Sequence, residues 1–161
     1  MKKLQKITTY LWFDGNAEEA VEHYTSLFPD SRVTKLARWG KGGPAPEGSV
    51  MNIVFELSGQ TFIALNGGPV YKFTPAISLF VSCESQEEVD TLWDRILKAG
   101  GKAVACGWIE DRFGLSWQII PTVLVDLMSD PDPVKSGCVA QAMMKMQKID
   151  IAGLRRAHGN G

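Results

Sequence analysis

Histidine is almost missing from this sequence, and so is any excess of charge. Only His23 and His158 occur in 161 residues, and 17 basic side chains face 18 acidic ones for a formal charge of −1. There is no long basic run. The largest basic cluster, Arg155-Arg156, reads as a solvated helix end, so no nucleic-acid partner is expected. The three cysteines, Cys83, Cys106 and Cys138, are odd in number and far apart. With no secretory apolar segment after Met1-Lys2-Lys3, that pattern argues against a disulfide scaffold and predicts a cytoplasmic protein. No stretch approaches the ~18–20 consecutive apolar residues needed to cross a bilayer, so no membrane partner is expected.

What the chain does have is hydrophobic patterning, broken at intervals by its 16 glycines and 8 prolines. Lys6–Phe13 is β-branched and aromatic and predicts a strand. Asn16 then opens a helix with Glu19 three residues on, a capping-box pattern. Ala17, Ala20, Val21, Tyr24 and Phe28 give that helix one apolar face before Pro29 stops it. Strands are predicted at Arg32–Trp39, Ser49–Leu57 and Gln60–Asn66, the last two joined by a Ser58-Gly59 hairpin. The order then repeats. Ala76–Ser82 is a strand candidate, Ser85 and Glu88 cap a helix ended by Gly100-Gly101, and short strands follow at Lys102–Ala105, Gly107–Glu110 and Leu115–Ile120.

A strand, a helix and three strands, written twice, form an internal repeat visible in element order. The expected class is α+β: two βαβββ repeats forming a curved mixed sheet around a cleft, plus C-terminal helices. The expected boundaries are a 1–121 domain, with halves 1–70 and 71–121, and a helical extension over 122–161. In that extension Asp132-Pro133 reads as a helix start, Cys138, Val139, Ala142, Met143 and Met146 as an apolar stripe, and Asp150–Ala157 as a last short helix.

Phe13-Asp14-Gly15-Asn16-Ala17-Glu18-Glu19-Ala20, Leu65-Asn66-Gly67-Gly68-Pro69, Cys106 to Gly114 and Ser116-Trp117-Gln118-Ile119-Ile120-Pro121 together resemble the PhnB-like group. This group is often labelled demethylubiquinone methyltransferase-like and belongs to the vicinal-oxygen-chelate (glyoxalase, bleomycin resistance and dioxygenase) superfamily. Lys148-Ile149-Asp150-Ile151 extends the resemblance into the tail. The methyltransferase label implied by the resemblance meets an objection in the sequence. Enzymes using S-adenosylmethionine commonly have a Gly-rich turn between a first strand and helix, whereas Phe13-Asp14-Gly15-Asn16 is short and has one glycine. The Gly40–Gly43 loop joins two strands and lacks the helix N-terminus that would receive an anionic group.

The resemblance also implies where a divalent metal would sit, on the first and fourth strands of each half. Matching the pattern puts Thr9, Ala64, Ala76 and Gln118 at those positions, and of these only Gln118 could coordinate. The neighbours Thr8, Leu65 and Ile77 supply no ligand either. His23, on the first helix, and His158, in the tail, read as surface residues. No metal and no cofactor are therefore expected.

Strand alternation places Phe62, Ala64 and Asn66 on one face, which the resemblance makes the concave one. Ala76, Ser78 and Phe80 share a face, as do Ser116 and Gln118. With Thr9 and Trp108 these make a candidate ligand-binding set of Thr9, Phe62, Asn66, Ser78, Phe80, Trp108, Ser116 and Gln118, suited to a small, partly apolar molecule. Cys106 lies near the rim without a histidine base. Asp111-Arg112 is expected to fix the turn before the last strand, while Glu56, with Asn52 beside it, is a candidate base if it faces inward. Three readings stay open: a metal-independent small-molecule binder, an enzyme with an unrecognised site, and an interaction module. A homodimer is expected, with the apolar tail helices as candidates for its interface.

Overall fold

The computed structural model describes residues 5–161, which divide into two compact units, one ending at Lys72 and the other running from Phe73 to Gly161. The first contains β1 (Thr9–Phe13), α1 (Ala17–Leu27), β2 (Arg32–Arg38), β3 (Val50–Leu57) and β4 (Gln60–Asn66). Its sheet has the order β1-β4-β3-β2, with β1 parallel to β4 and the other pairs antiparallel. The second contains β5 (Ser78–Cys83), α2 (Gln86–Lys98), β6 (Lys102–Ala103), β7 (Trp108–Glu110) and β8 (Ser116–Pro121). Its order, β5-β8-β7-β6, repeats the first. The α+β class and the doubled βαβββ unit are as expected, each repeat having its own four-stranded mixed sheet. The tail adds α3 (Thr122–Met128), α4 (Pro133–Met144) and α5 (Ile151–Gly159) to the second unit.

Local chemistry sets several element boundaries as expected. Ser58 and Gly59 both take positive φ, 45° and 83°, and close the β3–β4 hairpin. The Ser85 hydroxyl accepts from the Glu88 N–H at 3.1 Å, and the Glu88 carboxylate reaches back to the Glu84 N–H at 2.8 Å, one residue earlier than a standard capping box. The Asp132 carboxylate accepts from Val134 N–H at 2.9 Å, with Pro133 opening α4.

Helix α1 is a correction. Asn16 makes no side-chain cap. The Ala17 N–H instead donates to Oδ1 of Asn66 at 2.9 Å, and Asn66 Nδ2 donates to Glu18 Oε2 and to the Val50 carbonyl. A distant side chain has taken over the cap and ties helix to sheet. Strand bounds shift as well: β1 begins at Thr9 instead of Lys6, β5 at Ser78 instead of Ala76, β6 ends at Ala103 instead of Ala105, and the other bounds move by a residue or less.

The core of the first unit lies between α1 and the sheet. Tyr24 is fully buried against Phe13 and Phe55, whose ring centroids lie 6.4 and 6.5 Å away, and Phe55 stacks on Phe62 at 5.6 Å. Thr9 and Leu11 lie opposite Phe62 and Ala64 in the parallel β1–β4 ladder, so all four share the helix-facing side. In the second unit Val89, Leu92, Trp93 and Ile96 of α2 are buried, as are Ile109, Trp117 and Ile119 of the sheet. A third cluster, Ile120, Leu124, Val139, Ile149 and Leu154, holds the tail helices on β8.

Replacing Asn66 with Ala removes the α1 cap and a bond to the Val50 carbonyl. Chemical denaturation should show a loss of about 1–2 kcal/mol. An unchanged unfolding midpoint would contradict this account of the helix start.

Candidate functional site

Strand parity decides which side chains a ligand could meet, and here the two units depart differently from expectation. In the first, Thr9, Phe62 and Ala64 point to α1, and Asn66 spends its amide on the α1 cap and on Val50. The expectation that Phe62, Ala64 and Asn66 line a concave face is therefore corrected. The face away from α1 bears Tyr10, Trp12, Thr61, Ile63 and Leu65. Trp12 donates its indole N–H to the Gly68 carbonyl at 2.8 Å and meets Tyr71 edge-on at 4.9 Å. A Cβ on Gly67 would lie 2.4 Å from that indole, which is why the turn needs glycine there. Glu56 also faces away from α1, but it is an ion-pair partner, 3.0 Å from Arg32. Its place at the strand end beside an arginine accounts for a carboxylate in this sheet without a proton-transfer role.

In the second unit the sequence-derived face matches the structure. Ser78 lies opposite Ser116, Phe80 opposite Gln118, and Trp108 opposite Gln118 on the other side, all on the face away from α2. Phe80, Trp108 and Gln118 line a groove of about 340 Å³. Ser116 and Ser78 take no part in the lining; Ser116 is buried, and the Ser78 hydroxyl accepts from Gln118 Nε2 at 2.9 Å. The opposite wall is Val125 and Met128 of α3 with Met143 of α4. Sequence reasoning missed that wall. Thr122–Met128 has no capping side chain and follows β8 directly, so only its tertiary setting marks it as a helix.

The tail is held in place by polar contacts as well as by its core. Backbone N–H groups of Cys106 and Gly107 donate to the carbonyls of Met146 and Gln147 at 2.9 and 2.8 Å. These two residues have φ of 58° and 83° and close the β6–β7 hairpin. A Cβ on Gly107 would come 2.6 Å from the Ile120 side chain and 3.0 Å from that of Ile149. Gln86 bonds both the Ile149 carbonyl and the Ile151 N–H, and Lys148 pairs with Asp90 at 2.9 Å. His158, expected as a surface residue, lies 2.7 Å from Asp130. Asp111 does fix its turn: it accepts from the N–H groups of Phe113 and Leu115 and from the Trp117 indole, all at 2.9–3.0 Å. Cys83 is buried, and desolvation together with the nearby Glu88 raises its pKa to about 12, which suits a packing role.

The family model described as 3-demethylubiquinone-9 3-methyltransferase matches residues 5–120. The chain belongs to that family. Its PhnB-like character agrees with the resemblance carried by the sequence motifs. A Bacillus cereus PhnB protein whose name carries the same methyltransferase is 40% identical, with a TM-score of 0.65 over 71% of this chain and 97% of its own. Protein PA1353 of Pseudomonas aeruginosa is 22% identical, with a TM-score of 0.57 over 71% and 95%. A glyoxylase/bleomycin resistance protein/dioxygenase domain from Frankia is 19% identical, with a TM-score of 0.47 over 71% and 95%. Among curated proteins none matches. The family match ends at residue 120, so the tail and its Lys148–Ile151 segment lie outside it, against expectation.

The PhnB-like positions that would hold a metal can now be placed. Ala76 precedes β5, and Thr9 and Ala64 face α1. Counted back from the last residue pairs of the parallel ladders, Tyr10 and Ile63 in the first unit correspond to Phe80 and Gln118 in the second. These residues do not fit a dication, because one amide oxygen is the only good donor among them. Among the described residues, no three His, Cys, Asp or Glu side chains converge as a metal would require.

Two of the tail's anchoring carboxylates titrate low. Hydrogen bonds from Lys148 and Gln86 lower the pKa of Asp90, and those from the Asp132 N–H and His158 lower that of Asp130. A carboxyl depressed on folding stabilises fully above its unfolded pKa of about 3.9 and stops doing so as pH falls through the folded value. Hydrogen exchange, corrected for its intrinsic pH dependence, should show α5 losing protection before β3 as pH falls below about 4. Equal loss in both elements would refute this anchoring.

Proposed function

We propose that this PhnB-like protein binds a small, partly apolar molecule in the groove between its second sheet and tail helices, without a metal ion. The observation that carries this reading is the groove's composition. Aromatic, aliphatic and thioether side chains, with the Cys106 thiol and the Ser129 hydroxyl, surround a single amide in about 340 Å³, within the range of ligand pockets, and no charged side chain lines it among the described residues. Ser78, Phe80, Trp108 and Gln118 remain the ligand-binding candidates, with Val125, Met128 and Met143 added. Methyl transfer is not part of the proposal. The mixed sheets lack the parallel doubly wound order that commonly receives the methyl donor, and the β1–α1 turn has one glycine. The three free thiols suit a reducing compartment, in keeping with a cytoplasmic protein. Among the described residues no helix is long and apolar enough to cross a membrane.

A thermal-shift screen tests the binding. A ligand with a Kd near ~10 μM, supplied at ~1 mM, should add ~2.7 kcal/mol of stability. Trp108→Ala should weaken it at least about tenfold by removing the largest aromatic surface. Metal analysis of protein purified without chelator should find no stoichiometric transition metal. A bound metal, or a complete library without a shift, would count against the proposal.

A second copy of the chain is the proposed partner. Val134 and Met144 at the two ends of α4 are 61% and 69% exposed, apolar side chains that a second copy would cover. Size-exclusion chromatography with light scattering should give twice the 17.7 kDa chain mass. The V134E/M144E variant should give the single mass. A wild-type monomer at high concentration would end this reading.

A further inference from the structure

The walls of the groove also specify what kind of molecule it accepts, and this inference rests on the binding reading above. Three observations bear on it. Its flat surfaces are the rings of Phe80 and Trp108, the former 53% exposed, and the facing wall brings the thioethers of Met128 and Met143. Rings and thioethers both pack well on a flat π system. The second observation is the sparse polar equipment of the lining, which has one amide and one hydroxyl besides the weakly polar Cys106 thiol. Gln118 donates through Nε2 to Ser78 Oγ at 2.9 Å, which leaves Oε1 as the amide's acceptor. The hydroxyl in the lining, on Ser129, is turned back onto the Val125 carbonyl at 2.8 Å. The third is the lack of ionised groups among the described lining residues. A carboxylate or phosphate would leave water with no cation to offset its desolvation, and a cation would find ring faces but no carboxylate.

We infer that the groove selects an uncharged aromatic ring bearing one hydroxyl or N–H donor, held with that donor on Gln118 Oε1 and the ring between Trp108 and the two methionines. The tail helices thus set specificity from outside the part of the chain that the family model matches.

Four naphthalene probes of similar size separate the possibilities by isothermal titration at pH 7: 2-naphthol, 2-methoxynaphthalene, 2-naphthoate and trimethyl(2-naphthyl)ammonium. 2-Naphthol should bind about tenfold more tightly than its methyl ether, the worth of one hydrogen bond, and more tightly still than either ion. In Gln118→Leu the alcohol and ether should bind alike. Val125→Trp and Met128→Trp, both at partly exposed sites and both checked for native circular dichroism, should close the groove and abolish binding. If an ion or the ether equals 2-naphthol and the Trp variants still block it, the ligand class is wrong while the groove remains a binding site. If no probe binds at millimolar concentration, or binding survives both Trp variants, the groove is not the site and this inference falls with it.

Discussion

A helix laid on a sheet buries one of its two faces, and period-two alternation then fixes the direction of every other side chain. In the first unit Tyr24 of α1 draws Phe13, Phe55 and Phe62 beneath it. Thr9 and Ala64 follow by register, and Tyr10 and Ile63 are left facing the other way. In the second unit Trp117 and Ile119 take the core positions, so Phe80, Trp108 and Gln118 face out. A one-residue error in parity exchanges core for site. That single constraint separates residues that could touch a ligand from residues that cannot.

The same constraint explains why one half of the candidate site was legible and the other was not. Along β8, Ser116-Trp117-Gln118-Ile119 alternates in polarity, and along β5 Ser78 and Ser82 mark the outward parity that Phe80 shares. Along β4, Phe62-Ile63-Ala64-Leu65 is apolar at both parities, so alternation is silent and only the packed helix decides. The Ser85 and Asp132 caps and the Ser58-Gly59 turn were readable because neighbouring residues complete them. The α1 cap was not, because its acceptor, Asn66, lies 49 positions from Ala17. Helix α3 was hidden by its β-branched residues and by the lack of a capping side chain at its start.

The tail makes the two units unequal. Ile120 shares the outward face with Gln118, yet it is buried, because Leu124, Val139, Ile149 and Leu154 gather around it. The seam tolerates no side chain at Gly107, where the hairpin backbone donates two hydrogen bonds to the segment after α4. Covering one end of the sheet in this way turns an open face into a walled groove. Among its described residues the first unit has no such covering helices, and its outward face keeps Tyr10 half exposed.

The lining proposed above to hold a neutral ring offers stacking and apolar burial in place of ionised groups. A reaction is accelerated only by groups that bind the transition state better than the ground state, and the largest such effect comes from fixed charges or dipoles aimed at developing charge. Stacking and apolar burial act on both states alike. Gln118 Oε1 is a fixed dipole, but its negative end would repel a developing oxyanion. The carboxylates singled out in the sequence are committed elsewhere, Asp111 to its turn and Glu56 to Arg32. What the lining would supply to the proposed ligand is stacking and apolar burial at both stages of any encounter.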